Sequence, residues 1–143
     1  MLAAGSVIFM PYIRGMSIAI RHHTDWERFE LLESDRVIGK AAYKDYDGGA
    51  AASAPEGGDA REPRERIFYH TVVNEEYGGQ GLAGKLATEA LNQTVAAGLK
   101  IVPVCAFIKK FVVKHPEYEA HVVKPTPAHL GFLDDALAQR VRA

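Results

Sequence analysis

The sequence has few cysteines, no long apolar run and almost no excess of charge of one sign. Its one cysteine, Cys105, excludes an internal disulfide and a tetrathiolate metal site, and it suits a reducing cytoplasm. The longest N-terminal apolar run covers only residues 7–10, and no basic segment precedes it as in a signal peptide. We therefore expect a cytoplasmic protein that does not associate with a membrane.

The net charge and the positions of the histidines argue against nucleic-acid binding and metal binding. The formal net charge is -1, and the chain has no long basic cluster that would form a nucleic-acid footprint. His22 and His23 are neighbours in a predicted strand and would point to opposite faces, so they make a poor metal pair. The sequence therefore predicts neither a nucleic-acid partner nor a metal site.

The length and composition predict one globular domain. The chain has 143 residues, of which 48% are hydrophobic, and this suffices for a single substantial core. We place the domain at 17–123, with an N-terminal extension at 1–16 and a C-terminal helical extension at 124–143. Segment 47–66 has no large apolar side chain, so it is expected to be a mobile surface loop or a lid.

Hydrophobic periodicity predicts strands in the first half of the chain and helices in the second. Alternating patterns indicate a strand at 17–22, an antiparallel hairpin formed by 26–33 and 36–46, and a strand at 67–73. Helical patterns cover 82–97 and 106–114, with a strand at 100–105 between them. A last helix is predicted after the cap Thr126-Pro127, with an apolar stripe of Leu130, Leu133, Leu137 and Val141.

A turn with four glycines in seven residues joins the strand at 67–73 to the first helix. Glycines let the backbone turn tightly and approach a ligand, and the first amides of a helix lack internal partners. The turn is therefore either an anion cradle suited to a diphosphate or a tight structural corner. Its spacing matches neither a Walker A loop nor a dinucleotide fingerprint.

Residues 73–83, VNEEYGGQGLA, resemble the acetyl-CoA-binding segment of the GNAT acetyltransferase superfamily. The similarity extends over roughly 17–118, and it includes the subfamily feature of a cysteine after the fifth strand, here Cys105. The resemblance implies an α/β (α+β) fold with a mixed, mostly antiparallel sheet flanked by helices. It also implies that acetyl-CoA lies where strands 67–73 and 100–105 splay apart.

The resemblance further implies which residues hold coenzyme A. Backbone amides of the turn would bind the diphosphate, at Gly79, Gln80, Gly81, Ala83 and Gly84. Gly78 stands where the superfamily usually has arginine or glutamine, so Lys85 or the lysines after Cys105 would have to compensate. The pantetheine arm would lie along Thr71, Val72 and Val73. An amide near Val72 or Val73 would polarise the thioester carbonyl as an oxyanion hole does.

Two side chains are candidates for catalysis. Cys105 is either a core residue, a general acid toward the leaving thiolate, or a nucleophile that accepts the acetyl group. His70 is either a hydrogen-bonded structural histidine or a general base that deprotonates an amine or activates Cys105. Tyr118 is a weaker candidate for the acid. Lys109, Lys110 and Lys114 form either a solvated face or a contact to the phosphates.

The sequence thus predicts transfer of an acetyl group to an amine by direct attack on acetyl-CoA. The acceptor, a small molecule or a peptide, is unknown, and the protein is expected to be a monomer or a homodimer. The alternative is a non-enzymatic module that binds acetyl-CoA or carries the acetyl group on Cys105. In a third interpretation the site has decayed and the domain only binds a protein partner.

Overall fold

Six strands form one sheet in which the spatial order follows the chain order. The computed structural model describes residues 7–10, 18–47, 64–77 and 81–142, so the predicted loop falls largely outside the described residues. All neighbouring strands are antiparallel except the last pair. The strands are β1 (Val7–Met10), β2 (Ile18–His23), β3 (Arg28–Glu33), β4 (Arg36–Tyr46), β5 (Glu65–Val73) and β6 (Lys100–Pro103).

Within the described residues, three α-helices lie on the two faces of this sheet. They are α1 (Leu82–Ala96), α2 (Ala106–Lys114) and α3 (Pro127–Arg142). This arrangement confirms the predicted α+β class with a mixed, mostly antiparallel sheet flanked by helices. The N-terminal stretch, for which the sequence predicted no element, contributes the edge strand β1, which pairs with β2.

The predicted hairpin is formed by β3 and β4. Its turn contains Ser34 at φ 55°, a left-handed conformation that a tight turn tolerates at a small polar residue. A register shift between Leu31 and Leu32 marks a bulge, which leaves Ile38 as the extra residue of β4. The hairpin therefore provides the two central strands of the sheet.

Helix α1 forms because its apolar residues recur on one face and because its end is capped. Leu86, Ala90 and Leu91 are completely buried. Gly98 adopts φ 81° after the last turn and donates its amide to Val95, while the amide of Leu99 reaches the carbonyl of Thr94. This pair of hydrogen bonds is a Schellman motif, and it confirms that Gly98 terminates the helix as predicted.

The strand register separates the side chains into two faces. The α1 face carries Ile20, Phe29, Ala41 and Thr71 in successive strands, and its main core packs against α1 and α2. The α3 face carries Lys40 and Val72 opposite each other, and at one end Ile67, Val102 and Leu133 form a second, smaller core. Helix α3 therefore covers only part of its face.

Helix α3 begins where the sequence predicted and is fixed by its first turn. The amide of His129 donates to Thr126 Oγ1 at 3.3 Å, and the amide of Thr126 donates to His129 Nδ1 at 3.0 Å. The other ring nitrogen of the buried His129 lies 2.6 Å from Glu65 Oε1 on β5. Leu130 is 45% exposed and lies outside the packed stripe, so that part of the prediction is wrong.

Candidate functional site

The sheet opens between β5 and β6. The two strands pair only from Glu65 to Phe68, and β5 then continues to Val73 while remaining paired with β4. The last contact between β5 and the segment after β6 is made by the carbonyl of Phe68. It accepts hydrogen bonds from the amides of Val104 at 2.9 Å and Cys105 at 3.1 Å. Beyond this carbonyl the end of β5 has lost its β6 neighbour, which leaves a wedge-shaped opening beside it.

The backbone direction of β5 determines which groups face this opening. Asn74 donates its amide to Ile38 on β4 at 2.7 Å. Because an antiparallel strand directs the backbone groups of alternate residues to opposite sides, Val72 also faces β4, whereas Thr71 and Val73 face the opening. Of the two residues predicted to provide an oxyanion-hole amide, only Val73 therefore directs its amide into the opening.

The first turn of α1 lies just after the end of β5 and has no side-chain cap. Gly81 is the N-cap residue at φ 71°, and the first turn contains no acidic residue. The first intrahelical bond joins the Lys85 amide to the Gly81 carbonyl, so the amides at 82–84 precede it and have no helical partner. Gly78, Gly79 and Gln80 lie outside the described residues. Ala83, Gly84 and Lys85 belong to this turn and are half-buried.

Tyr77 anchors the segment that leads into the glycine turn. Tyr77 is buried as a residue, and its hydroxyl accepts a hydrogen bond from Arg36 at 2.7 Å and donates one to Glu33 at 2.8 Å. The bond to Glu33 raises the pKa of Tyr77 above its ordinary value. The β3–β4 hairpin thus fixes the entry to the turn, a role that the sequence did not reveal because the partners lie more than forty positions apart.

Cys105 lies at the narrow end of the opening. The sequence placed it in a strand, but β6 ends at Pro103 and Cys105 is the N-cap residue of α2. Its side chain is half-buried, and Sγ lies 3.4 Å from Thr71 Oγ1. The structure therefore brings together two of the predicted residues, Cys105 and Thr71, on the α1 face.

His70 lies on the other face of the sheet. It pairs with Ala42, whereas the next residue, Thr71, pairs with Ala41 on the α1 face. A register shift between Ala42 and Tyr43 places a bulge just before His70, and its side chain is exposed on the α3 face. The structure shows no contact between His70 and Cys105, whose side chains lie on different faces, so it does not support activation of Cys105 by direct contact. Its action as a base toward an amine stays a prediction.

Tyr118 is buried and already has a hydrogen-bond partner. Its hydroxyl donates to Asn92 Oδ1 on α1 at 2.7 Å. Burial raises the pKa of Tyr118, and the nearby carboxylates of Glu117 and Glu89 add to this effect. The contact holds α1 against the segment after α2, which favours a structural role. Lys109, Lys110 and Lys114 are exposed on α2.

A polar cluster on the α1 face was not predicted. His22 Nε2 lies 2.5 Å from the Tyr43 hydroxyl, and the guanidinium of Arg66 lies 4.1 Å from the centre of the Tyr43 ring. Burial, together with the charge of Arg66, lowers the pKa of His22 to about 4. Burial raises the pKa of Tyr43 to about 12. Arg66 is itself paired with Asp45 at 2.6 Å, so the cluster is internally satisfied.

None of the helices in the described part of the chain combines the length and hydropathy needed to cross a membrane. Among the described residues, no three His, Cys, Asp or Glu side chains gather as a metal ion would require.

A mixed sheet that opens beside its parallel strand pair, with a glycine-led helix after the opened strand, defines a GNAT-type fold. A family model described as GCN5-related N-acetyl-transferase matches residues 28–122, which is more than half of the chain. The chain therefore belongs to the GCN5-related N-acetyltransferase family, whose general chemistry is acetyl transfer. The matched range contains the opening and Cys105 but not α3. Curated proteins include no match to the chain.

Proposed function

We propose that the protein transfers an acetyl group from acetyl-CoA to an amine by direct attack. The observation that carries this proposal is the free backbone edge of β5 beyond Phe68, together with the uncapped start of α1, the next α-helix in the chain. An extended pantetheine arm can pair with such an edge, and a diphosphate suits such a helix end. Family membership supports the same reaction in general terms.

The residues of the opening fit the cofactor that the family implies. Thr71 and Val73 would hold the pantetheine arm through their backbone groups, and the amides at 82–84 would hold the diphosphate. Gly81 already has a left-handed backbone and no side-chain cap that an anion would have to displace. When bound, acetyl-CoA supplies the acetyl group as an activated thioester.

Three groups of the chain would have separate roles in the acetyl transfer. The amide of Val73 is directed into the opening, where it can stabilise negative charge on a carbonyl oxygen. Cys105 Sγ–H can donate a proton at the narrow end, and Thr71 Oγ1 orients the thiol from 3.4 Å away. His70 can accept a proton only from a group that arrives on the α3 face.

A second candidate function follows from the contact between Cys105 and Thr71. In this alternative the protein carries the acetyl group: Cys105 Sγ bonds to the acetyl carbonyl carbon, and the bond to the coenzyme A sulfur breaks. The thiol proton leaves with coenzyme A, so charge and atoms balance. The half-buried position of Cys105 at the opening is compatible with this step.

Two measurements separate these functions. Isothermal titration with acetyl-CoA tests the cofactor, and thiol release with an amine panel tests turnover. We expect binding in the wild type, and we expect binding to weaken in Gly81→Ala because a side chain at φ 71° costs about 1 kcal/mol. Gly131→Ala, at an exposed position of α3 where a new Cβ meets nothing within 4 Å, serves as the matched control.

Intact-mass spectrometry after incubation with acetyl-CoA then decides the role of Cys105. Direct attack predicts no stable acetyl adduct and a reduced kcat in Cys105→Ala. An adduct that disappears in Cys105→Ala but persists in Thr71→Val would favour the carrier. If acetyl-CoA neither binds nor is turned over with any amine, the proposed function is wrong.

A further inference from the structure

A cavity of about 390 Å³ lies on the α3 face, at the end of the sheet that α3 leaves uncovered. We call it the β4–β5 pocket; its walls include Arg28, Val37, Lys40, Val72 and Asn74. Its volume falls within the range of small-molecule sites. Val37 and Val72 are 40% and 44% exposed, so the apolar part of the pocket is open to a ligand.

The pocket borders the opening described above. Val72 points its side chain into the pocket, while the residues on either side of it, Thr71 and Val73, direct their backbone groups into the opening. A ligand in the pocket is therefore separated from the opening only by the strand β5. His70 is exposed on the same face as Val72, two residues earlier in the strand.

The polar wall of the pocket is cationic and preorganised. Glu30, which is completely buried, accepts hydrogen bonds from Arg21 Nε at 2.9 Å and Arg28 Nε at 2.6 Å. The Arg28 guanidinium also lies 4.6 Å from the centre of the Trp26 ring, a cation–π contact that further restrains it. The bond to Glu30 uses Arg28 Nε, and no other described carboxylate pairs with this guanidinium, so its terminal nitrogens are available to a ligand.

The charges on this wall do not cancel. Arg21, Arg28 and Lys40 surround the single carboxylate of Glu30, and Glu30 is engaged by the two arginines. Lys40 lies directly opposite Glu30 in the strand register but has no ion pair within the described residues. The surface around the pocket therefore keeps an excess of positive charge, which disfavours a polyamine and favours an anion.

We propose that the β4–β5 pocket binds the acceptor, and that this acceptor is a small primary amine that carries a carboxylate. The carboxylate lies against Arg28 and Lys40, and the amine lies at the β5 side near Val72 and Asn74. This inference rests on the proposed function. The nitrogen lone pair forms the bond to the acetyl carbon, the carbon–sulfur bond breaks, and the proton lost by the nitrogen passes to His70 or to the departing thiolate.

The test uses acceptors in matched pairs. The acids are glycine, β-alanine, 4-aminobutyrate and 6-aminohexanoate, the partners are their primary carboxamides, and spermidine represents polyamines. We expect kcat/KM to be at least about tenfold higher for the best acid than for its amide, because a charge-assisted hydrogen bond contributes this much. Equal rates for acid and amide, or a preference for spermidine, would overturn the proposal.

Variants locate the effect. Lys40→Gln and Arg28→Gln should lower kcat/KM for the acid, mainly through KM, by a much larger factor than for the amide, so that the preference for the acid is lost. Lys44→Gln is the matched control, because Lys44 is on the same strand but is paired with Glu27. A loss of rate that is equal for acid and amide would contradict the proposal, provided that circular dichroism shows a folded variant.

A binding arm separates this inference from the proposed function. If no amine is acetylated, the proposed function fails, but the pocket is still tested by NMR titration with 4-aminobutyrate and its carboxamide. Selective shifts of the Val72 and Asn74 amides with the acid, absent in Lys40→Gln, would support the pocket. If the acid produces no such shifts, the pocket is not an anion site.

Discussion

The replacement of Glu30 by glutamine tests the most demanding electrostatic feature of the fold. Glu30 has no exposed surface, and its carboxylate bridges Arg21 and Arg28. Burial alone would raise the pKa of Glu30, but the hydrogen bonds from Arg21 and Arg28 outweigh it and lower that pKa below the ordinary 4.5. The carboxylate is therefore ionised in the folded protein at neutral pH.

The expected loss of stability depends on the hydrogen bonds and solvent contacts that remain in Glu30→Gln. Glutamine keeps one carbonyl oxygen and so keeps part of the hydrogen bonding, while the side chains of Arg21 and Arg28 are 37% and 19% exposed and can regain water. We expect Glu30→Gln to lower the free energy of unfolding by about 2–3 kcal/mol. This corresponds to a fall in Tm of about 6–12 °C.

The stability difference between wild type and Glu30→Gln should decrease as the pH falls. Because the folded pKa of Glu30 is depressed, its contribution is fully present above the unfolded value of 4.5 and is lost as the pH falls through the folded pKa. The difference in stability between wild type and Glu30→Gln should therefore be constant from pH 7 to about 5.5 and shrink below 4.5. Urea unfolding followed by circular dichroism measures it, with Glu119→Gln as the exposed control. A difference below about 1 kcal/mol at pH 7, or one that persists unchanged at pH 3, would refute the reasoning.

Three further changes test other parts of the structure. His22 should titrate at about 4 in an NMR experiment, and stability should fall between pH 6.5 and 4 because the unfolded chain takes up that proton first; a midpoint near 6.5 would be inconsistent with burial. Tyr118→Phe should lower the free energy of unfolding by about 1 kcal/mol in a thermal melt, because the hydrogen bond to Asn92 is lost, and should leave the affinity for acetyl-CoA unchanged. A large loss of kcat would instead indicate that Tyr118 is the general acid. In Gly39→Ala the new Cβ would meet backbone and side chain of β5 at 3.0 Å, so we expect about 1–2 kcal/mol of destabilisation and weaker acetyl-CoA binding by calorimetry; normal affinity would show that the opening tolerates the shift.

Sequence patterns predicted the elements whose signals are local. The limits of α1 and α2 follow from their apolar periodicity together with Gly98 and Pro116, and the start of α3 follows from the cap at Thr126. The hairpin of β3 and β4 follows from alternation around a polar turn. These features depend on residues a few positions apart, so a single sequence contains them.

Features that depend on strand register could not be predicted in this way. Alternation along a strand places His70 and Val72 on one face, but it could not show that Cys105 lies on the other. That relation depends on the point where β6 leaves β5 and on a bulge, both of which are set by contacts between distant segments. The burial of Glu30 was missed for the same reason, since its partner Arg21 lies on a different strand.

The carbonyl of Phe68 is the vertex of the opening, because it holds the first two amides after β6. The groups that shape the proposed cofactor site are therefore mostly main-chain atoms: this carbonyl, the amide of Val73 and the first amides of α1. Most substitutions leave such atoms in place, whereas the wall of the β4–β5 pocket consists largely of side chains. We therefore expect single substitutions in the pocket to change the proposed acceptor preference while the proposed acetyl-CoA site stays intact.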